Sequence, residues 1–180
     1  MEITDISSFL KYYENIRQRT LNVVRSIPPE KFDWTYMEGK FTCADLVRHI
    51  AAIERYMFAE CVQFRPSCYP GHGKDLADGY ENVLEFMDRL HRESMEIFGR
   101  ISNEDLNKKC MTPAGAPIPV WKWLRAMVEH EIHHRGQLYI YLGILGLPSP
   151  PLYGLTSEQV KERSQPIAAN PRQVQRNSLQ

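Results

Sequence analysis

The sequence predicts an all-α fold, a four-helix bundle of long helices with irregular connecting loops, and three observations carry that expectation. Four segments repeat apolar residues at spacings of three and four, the period of a helix with one buried face. The stretches between them hold proline and glycine, which stop helices and build turns. No series of short alternating apolar and polar runs is present, so no sheet is expected.

The first helix runs from Asp5 to Ile27, with Phe9, Tyr13, Ile16, Thr20, Val23 and Val24 on its inner face. Pro28-Pro29 stops it, and an aromatic-rich connection with Phe32, Trp34 and Tyr36 follows. The second helix starts at Thr42, an N-cap with Asp45 three residues on, and continues to about Phe64. Its inner stripe reads Leu46, His49, Ile50, Ile53, Met57, Cys61, Phe64. Residues 65–79 contain Pro66, Pro70, Gly71 and Gly73 and form a long loop, with His72 expected to be mobile and exposed. Loops of that length often serve as lids or rims.

The third helix spans about Asp78 to Ile101. His91 falls at the edge of its stripe and reads as a half-exposed packing residue outside any site. Residues 110–119 read as irregular, with Pro119 in the first turn of the fourth helix. That helix ends at Leu145, before Gly146 and Pro148. A short helix from Thr156 to Arg163 completes a domain of residues 1–164, and residues 165–180 read as a loose polar tail.

A chain of 180 residues buries roughly two-thirds of its unfolded surface without needing disulfides. Cys43, Cys61, Cys68 and Cys110 show no Cys-x-x-Cys spacing, and no apolar signal segment precedes the first helix. Reduced thiols in the cytoplasm are the expectation. The 22 basic and 22 acidic residues balance, which provides no field for nucleic acid and no polybasic face for a membrane. No window approaches the roughly eighteen consecutive apolar residues of a membrane-spanning helix.

Three of the six histidines lie between positions 130 and 134. His130 and His134, four apart, share one helical face. That face continues Leu124, Met127 and leads on to Leu138 and Tyr141, so both rings point into the core. His49 points inward from the second helix. A single inward histidine is most simply a packed core residue. Three together each require a partner, because an unsatisfied buried polar group costs about 1–3 kcal/mol. One metal ion satisfies three nitrogens at once. Such a donor set suits zinc, nickel or ferrous iron and leaves a coordination position open for water or substrate. A water or thiol there becomes a nucleophile near neutral pH. His130-Glu131-Ile132-His133-His134 also satisfies the His-Glu-x-x-His pattern of zinc proteases, with Glu131 as base and Glu158 or Glu162 as third ligand. The missing strand series, needed to hold a peptide, speaks against that reading.

Gly39-Lys40-Phe41-Thr42 with Asp45-Leu46 and His49-Ile50 is joined downstream by His130-x-x-x-His134-Arg135-Gly136-Gln137-Leu138, then by Gly146-x-Pro148 and Tyr153-Gly154. This combination resembles the DinB/YfiT-like superfamily over about residues 5–155. The resemblance implies a four-helix bundle, commonly a homodimer, with a divalent metal held by three histidines that match His49, His130 and His134. Zinc and nickel are among the metals found in the family. Some members are thiol S-transferases or isomerases that use bacillithiol, mycothiol or glutathione. The expected partners are therefore a small-molecule substrate and a low-molecular-weight thiol. A metal-dependent hydrolase is one alternative. Another is a non-catalytic, metal-stapled dimer with Ile132, Tyr139 and Ile140 on its outer surface, and a metal-free bundle with three packed histidines is the simplest. Around the triad, Asp45 reads as a helix cap or as an orienting partner of His49, and His133 as a bystander. Arg135 reads as paired with Glu131 or with a thiol cofactor, and Gly136 as a site of close helix packing. No dedicated catalytic base is evident.

Overall fold

The structure, a computed structural model, describes residues 2–164. The tail expected at 165–180 lies outside the described residues. The chain divides into two compact units, Met1–Pro150 and Pro151–Gln180. The first is the bundle. The second holds a short helix over Ser157–Arg163, capped by the Thr156 hydroxyl.

The bundle consists of α1 (Ile6–Arg25), α2 (Cys43–Ile53), a π-helical turn (Glu54–Phe58) that leads directly into α3 (Ala59–Val62), α4 (Tyr80–Phe98) and α5 (Val120–Ile144). Contacts run from α1 to α5, α5 to α2, α2 to α4, and α4 back to α1. The order around the bundle therefore differs from chain order, which requires long connections after α1 and after α4. No helix among the described residues is long and apolar enough to cross a membrane.

Asp5 starts α1 by accepting a 2.7 Å hydrogen bond from Ser8 N. The helix buries Phe9, Tyr13, Ile16, Val23 and Val24, and with them Arg17. A charged residue inside the apolar period gives no periodic signal, so Arg17 was absent from the expected face. Thr42 and Asp45 form the expected capping box of α2, with reciprocal bonds of 3.0 and 2.9 Å.

The second helix is not continuous to Phe64. The π turn widens the ring by one residue and shifts the register, so that Glu54 and Phe58 turn inward while Met57 is only half-buried. Phe64 is 54% exposed rather than part of the core, at φ +61 just beyond the helix end. Residues 110–119 are likewise more regular than expected. Lys109–Met111 pairs antiparallel with Pro117–Pro119, strands β1 and β2, in the register Cys110 to Ile118. Three residues per strand are too few to announce an alternation. Pro119 sits at the N-cap with ψ 139, one position before the first turn. At the far end of α5, Gly146 takes φ +68 and donates to Gly143 O, while Leu147 donates to Leu142 O. These two bonds form a Schellman stop, and the left-handed position favours glycine.

Candidate metal centre

The capping box sets the start of α2, and His49 follows two turns in, on the face that meets α5. From α5, His130 and His134 present one above the other. Nε2 of His130 lies 3.1 Å from Nε2 of His49 and 3.1 Å from Nε2 of His134. The three donor atoms all fall within 4.8 Å of one another. Two nitrogens on a tetrahedral ion with bonds near 2.0–2.1 Å stand about 3.3 Å apart, so the spacing matches a shared cation. The structure thus brings together all three residues singled out from the sequence.

Two of the rings are held from behind. His49 Nδ1 is 2.7 Å from the Tyr69 hydroxyl. His134 Nδ1 is 2.7 Å from Gln137 Oε1, an obligate acceptor, so the His134 proton belongs on Nδ1 and Nε2 keeps a bare lone pair. Gln137 Nε2 in turn donates to His133 Nε2 at 3.3 Å. Burial, reinforced by the neighbouring imidazoles, lowers His130 to about 3 and His49 to about 4. Burial lowers His134 as well, although its bond to Gln137 opposes the shift. All three rings are neutral at physiological pH, the state in which imidazole ligates a metal.

Several neighbours differ from their sequence reading. Asp45 spends its carboxylate on the cap and on an ion pair with Arg48, and the partner of His49 is Tyr69. His72 is half-buried rather than exposed. Its ring packs 4.0 Å from the Phe41 ring and its Nδ1 is 3.4 Å from the Tyr69 hydroxyl. Its loop is tied to α2 by Arg48, which donates to the carbonyls of His72 at 2.7 Å and Ala77 at 3.0 Å. Nothing in the spacing of residues 65–79 signals these bonds. His91 is 6% exposed and bridges Glu54 at 2.8 Å and Glu14 at 3.1 Å, in place of the expected half-exposed packing.

Glu131 is buried, accepts from the Tyr13 hydroxyl at 2.9 Å and pairs with Arg17 at 3.1 Å. It is committed there, not available as a protease base, and the third imidazole that closes on the pair comes from α2. Arg135 is buried and donates to the Ile16 carbonyl. Gly136 is exposed with nothing within 4 Å of an added Cβ, so it serves no close packing. His133 is exposed, as expected of a bystander. The four cysteines are free thiols, and burial pushes Cys43 up to about 12 and Cys110 up to about 11.

A cleft of about 520 Å³ opens beside the triad, bordered by His134, Gln137, Phe41, Tyr141 and Lys40. A helical bundle whose facing helices converge three neutral imidazoles on one point beside a cleft has a geometry that could hold a metal ion between helices. Residues 12–138 match the DinB superfamily, and the chain belongs to it. It is 24% identical over 151 residues to YjoA of Bacillus subtilis (strain 168), across 82% of this chain and 93% of YjoA. It is 23% identical over 150 residues to OB0413 of Oceanobacillus iheyensis, whose name proposes a metal-dependent hydrolase, across 78% of this chain and 87% of that protein. A DinB-like protein of Bacillus cereus ATCC 10987 superposes with a TM-score of 0.69 at 18% identity, over 82% of this chain and 97% of the other. A mycothiol-dependent maleylpyruvate isomerase superposes with a TM-score of 0.56 at 15% identity, over 74% of this chain and 60% of the other. At these identities the structural likeness establishes the fold.

Proposed function

We propose that the protein is a divalent-metal-dependent enzyme acting on a small molecule, with His49, His130 and His134 as the metal ligands and zinc or nickel as the ion, ferrous iron being a third candidate. The observation that carries this reading is the convergence of three neutral Nε2 atoms beside a cleft, those of His49 and His134 each 3.1 Å from that of His130. A closed coordination shell would suit a purely structural staple, whereas a site next to a cleft suits substrate entry. An ion held there lowers the pKa of a ligating water or thiol into the neutral range, which supplies a nucleophile.

The protein's own residues orient and enclose. Tyr69 and Gln137 hold the His49 and His134 rings by their Nδ1 atoms. Phe41 and Tyr141 line the cleft with apolar surface. Transfer of a low-molecular-weight thiol to an electrophile is the favoured reaction, supported by the fold shared with a mycothiol-dependent isomerase. Metal-dependent hydrolysis is the second reading, supported by the name of OB0413. A homodimer working in the cytoplasm completes the proposal.

The test is the metal content of protein purified without an affinity tag. About one equivalent of a transition metal is expected, falling below about a tenth in His49→Ala and His134→Ala. A parent protein with no more metal than its variants overturns the site. Metal-loaded protein is then screened with electrophiles in the presence and absence of small thiols. Thiol-dependent turnover supports the transferase, and thiol-independent cleavage of esters or amides supports the hydrolase. Turnover no greater than that of metal-free protein overturns the assignment as an enzyme.

A further inference from the structure

The cleft beside His134 has mostly apolar walls. Tyr141 is braced edge-on by Trp34, with ring centroids 5.4 Å apart, and by Tyr36 at 5.7 Å. Its hydroxyl is spent on the Phe41 carbonyl at 2.9 Å, so the wall offers ring surface rather than a donor. Ile140 and Ile144 continue this surface and are 62% and 58% exposed, which leaves a large apolar area uncovered on one side of α5. Such walls favour a ligand with an apolar body.

Two polar groups of the cleft, the Tyr141 hydroxyl and the Gln137 amide, are already engaged. Gln137 is occupied by His134 and His133. Among the described residues that line the cleft, Lys40 alone carries a permanent charge. Its backbone N–H is anchored on the Met37 carbonyl at 3.2 Å, and no described carboxylate lies within ion-pair distance of its ammonium. Lys74 and Lys108, by contrast, are paired with Asp33 and Asp105. A second groove, of about 610 Å³ between the start of α1 and α5, carries both signs of charge, and its Arg125 already meets Glu129. A single unpaired cation beside low-dielectric walls focuses its field on a bound anion.

We propose that the cleft takes a small molecule with an apolar, ring-sized body and a carboxylate, the carboxylate meeting Lys40 while the body lies against Phe41, Tyr36 and Tyr141. Such a ligand places its remaining end toward His134. The proposal rests on the reading of this cleft as the substrate site, and Lys40 acts in binding and specificity rather than in bond making.

Phenylacetate and its neutral isostere phenylacetamide are the probes, with affinities measured by calorimetry or ligand-observed NMR on the full chain, both zinc-loaded and zinc-free. The carboxylate is expected to bind about fivefold more tightly than the amide, the range of a partly exposed ion pair. Lys40→Gln removes that preference while changing amide affinity by less than about twofold, and Lys40→Arg retains it. Equal affinities in the parent protein, or a preference that survives Lys40→Gln, overturn the assignment. A preference that survives Lys40→Gln only with zinc bound places the carboxylate on the metal and overturns it as well. Absence of binding by either probe overturns the apolar subsite. Zinc content is measured separately, so a protein that takes up no zinc strikes the metal reading alone, and the comparison of Lys40 variants is still made on zinc-free protein.

Discussion

Two polar clusters lie inside the bundle, and their atoms face one another in opposite ways. In the first, Arg17 of α1 is shared between Glu54 of the π turn and Glu131 of α5, and Tyr13 donates to Glu131. His91 of α4 closes the network by bridging Glu54 and Glu14. Cation meets anion, and donor meets acceptor. In the second, His49, His130 and His134 direct atoms of the same kind at one point. The first cluster pairs its charges within itself and ties four helices together, although Arg17 Nε and Nη1 and Glu131 Oε1 have no hydrogen-bond partner among the described residues. The second, whose neutral rings can bond one another through Nε2, could also hold a single metal ion, and a cleft lies beside it. His130 and Glu131 are consecutive yet belong to different clusters, because each residue on an α-helix turns about 100° from the last.

The comparison can be broken most directly by stability. Arg17→Ala leaves two buried carboxylates without their cation and is expected to cost about 3–5 kcal/mol in urea unfolding. His130→Ala, in metal-free protein, is expected to cost less than about 2 kcal/mol, since it removes a half-buried ring with no charge to strand. Equal losses would show that both clusters are structural. Metal affinity sharpens the same contrast. Tyr69→Phe and Gln137→Ala are each expected to weaken metal binding by about 10–100-fold while leaving the urea midpoint of metal-free protein near that of the parent. Competition with a chromophoric chelator reads this effect, and unchanged affinity would remove Tyr69 and Gln137 from the site.

Acidity should separate the clusters by sign. His49 and His130 titrate near 4 and 3 in the fold, below the ordinary value of 6.5, so unfolded chains take up those protons first. The stability linked to them is present above pH 6.5 and is lost as pH falls toward those folded values. For His91, burial opposes the charge but the Glu54 carboxylate overrides it, and the ring titrates above 6.5. Its contribution is fully present below pH 6.5 and is lost as pH rises through its folded value. Between about pH 7.5 and 4.5, metal-free His130→Gln should therefore lose less stability than the parent and His91→Gln should lose more. Parallel curves for the three proteins would contradict that division. The smallest expected effect concerns neither cluster. Phe64 occupies a left-handed helix-end position at φ +61, and Phe64→Gly should raise stability by about 0.5–1 kcal/mol in the same urea assay.

Much of the architecture was legible because it is written in neighbouring residues. Apolar spacing located the helices, Thr42 with Asp45 marked the start of α2, and Gly146 marked the end of α5. The triad was legible for a related reason. His130 and His134 are one helical turn apart, and His49 follows the inner stripe of its own helix. The residues that support the triad were not. Tyr69 reaches His49 from a loop whose path depends on Arg48, and the functions of Gln137 and Glu131 depend on which side of α5 each one faces.

The π turn shows the limit most clearly. A single added residue in the helical ring brings Glu54 inward to meet Arg17, and no apolar period announces it. By itself the sequence determined the helices, their inner faces and the three imidazoles on those faces, because propensity, capping and periodicity act within a few residues. Only the tertiary structure decided that His49 and His130, 81 residues apart, meet at 3.1 Å, and that Glu131 turns away to Arg17. Those outcomes follow from how whole helices pack, and packing is the sum of contacts between segments far apart in the chain.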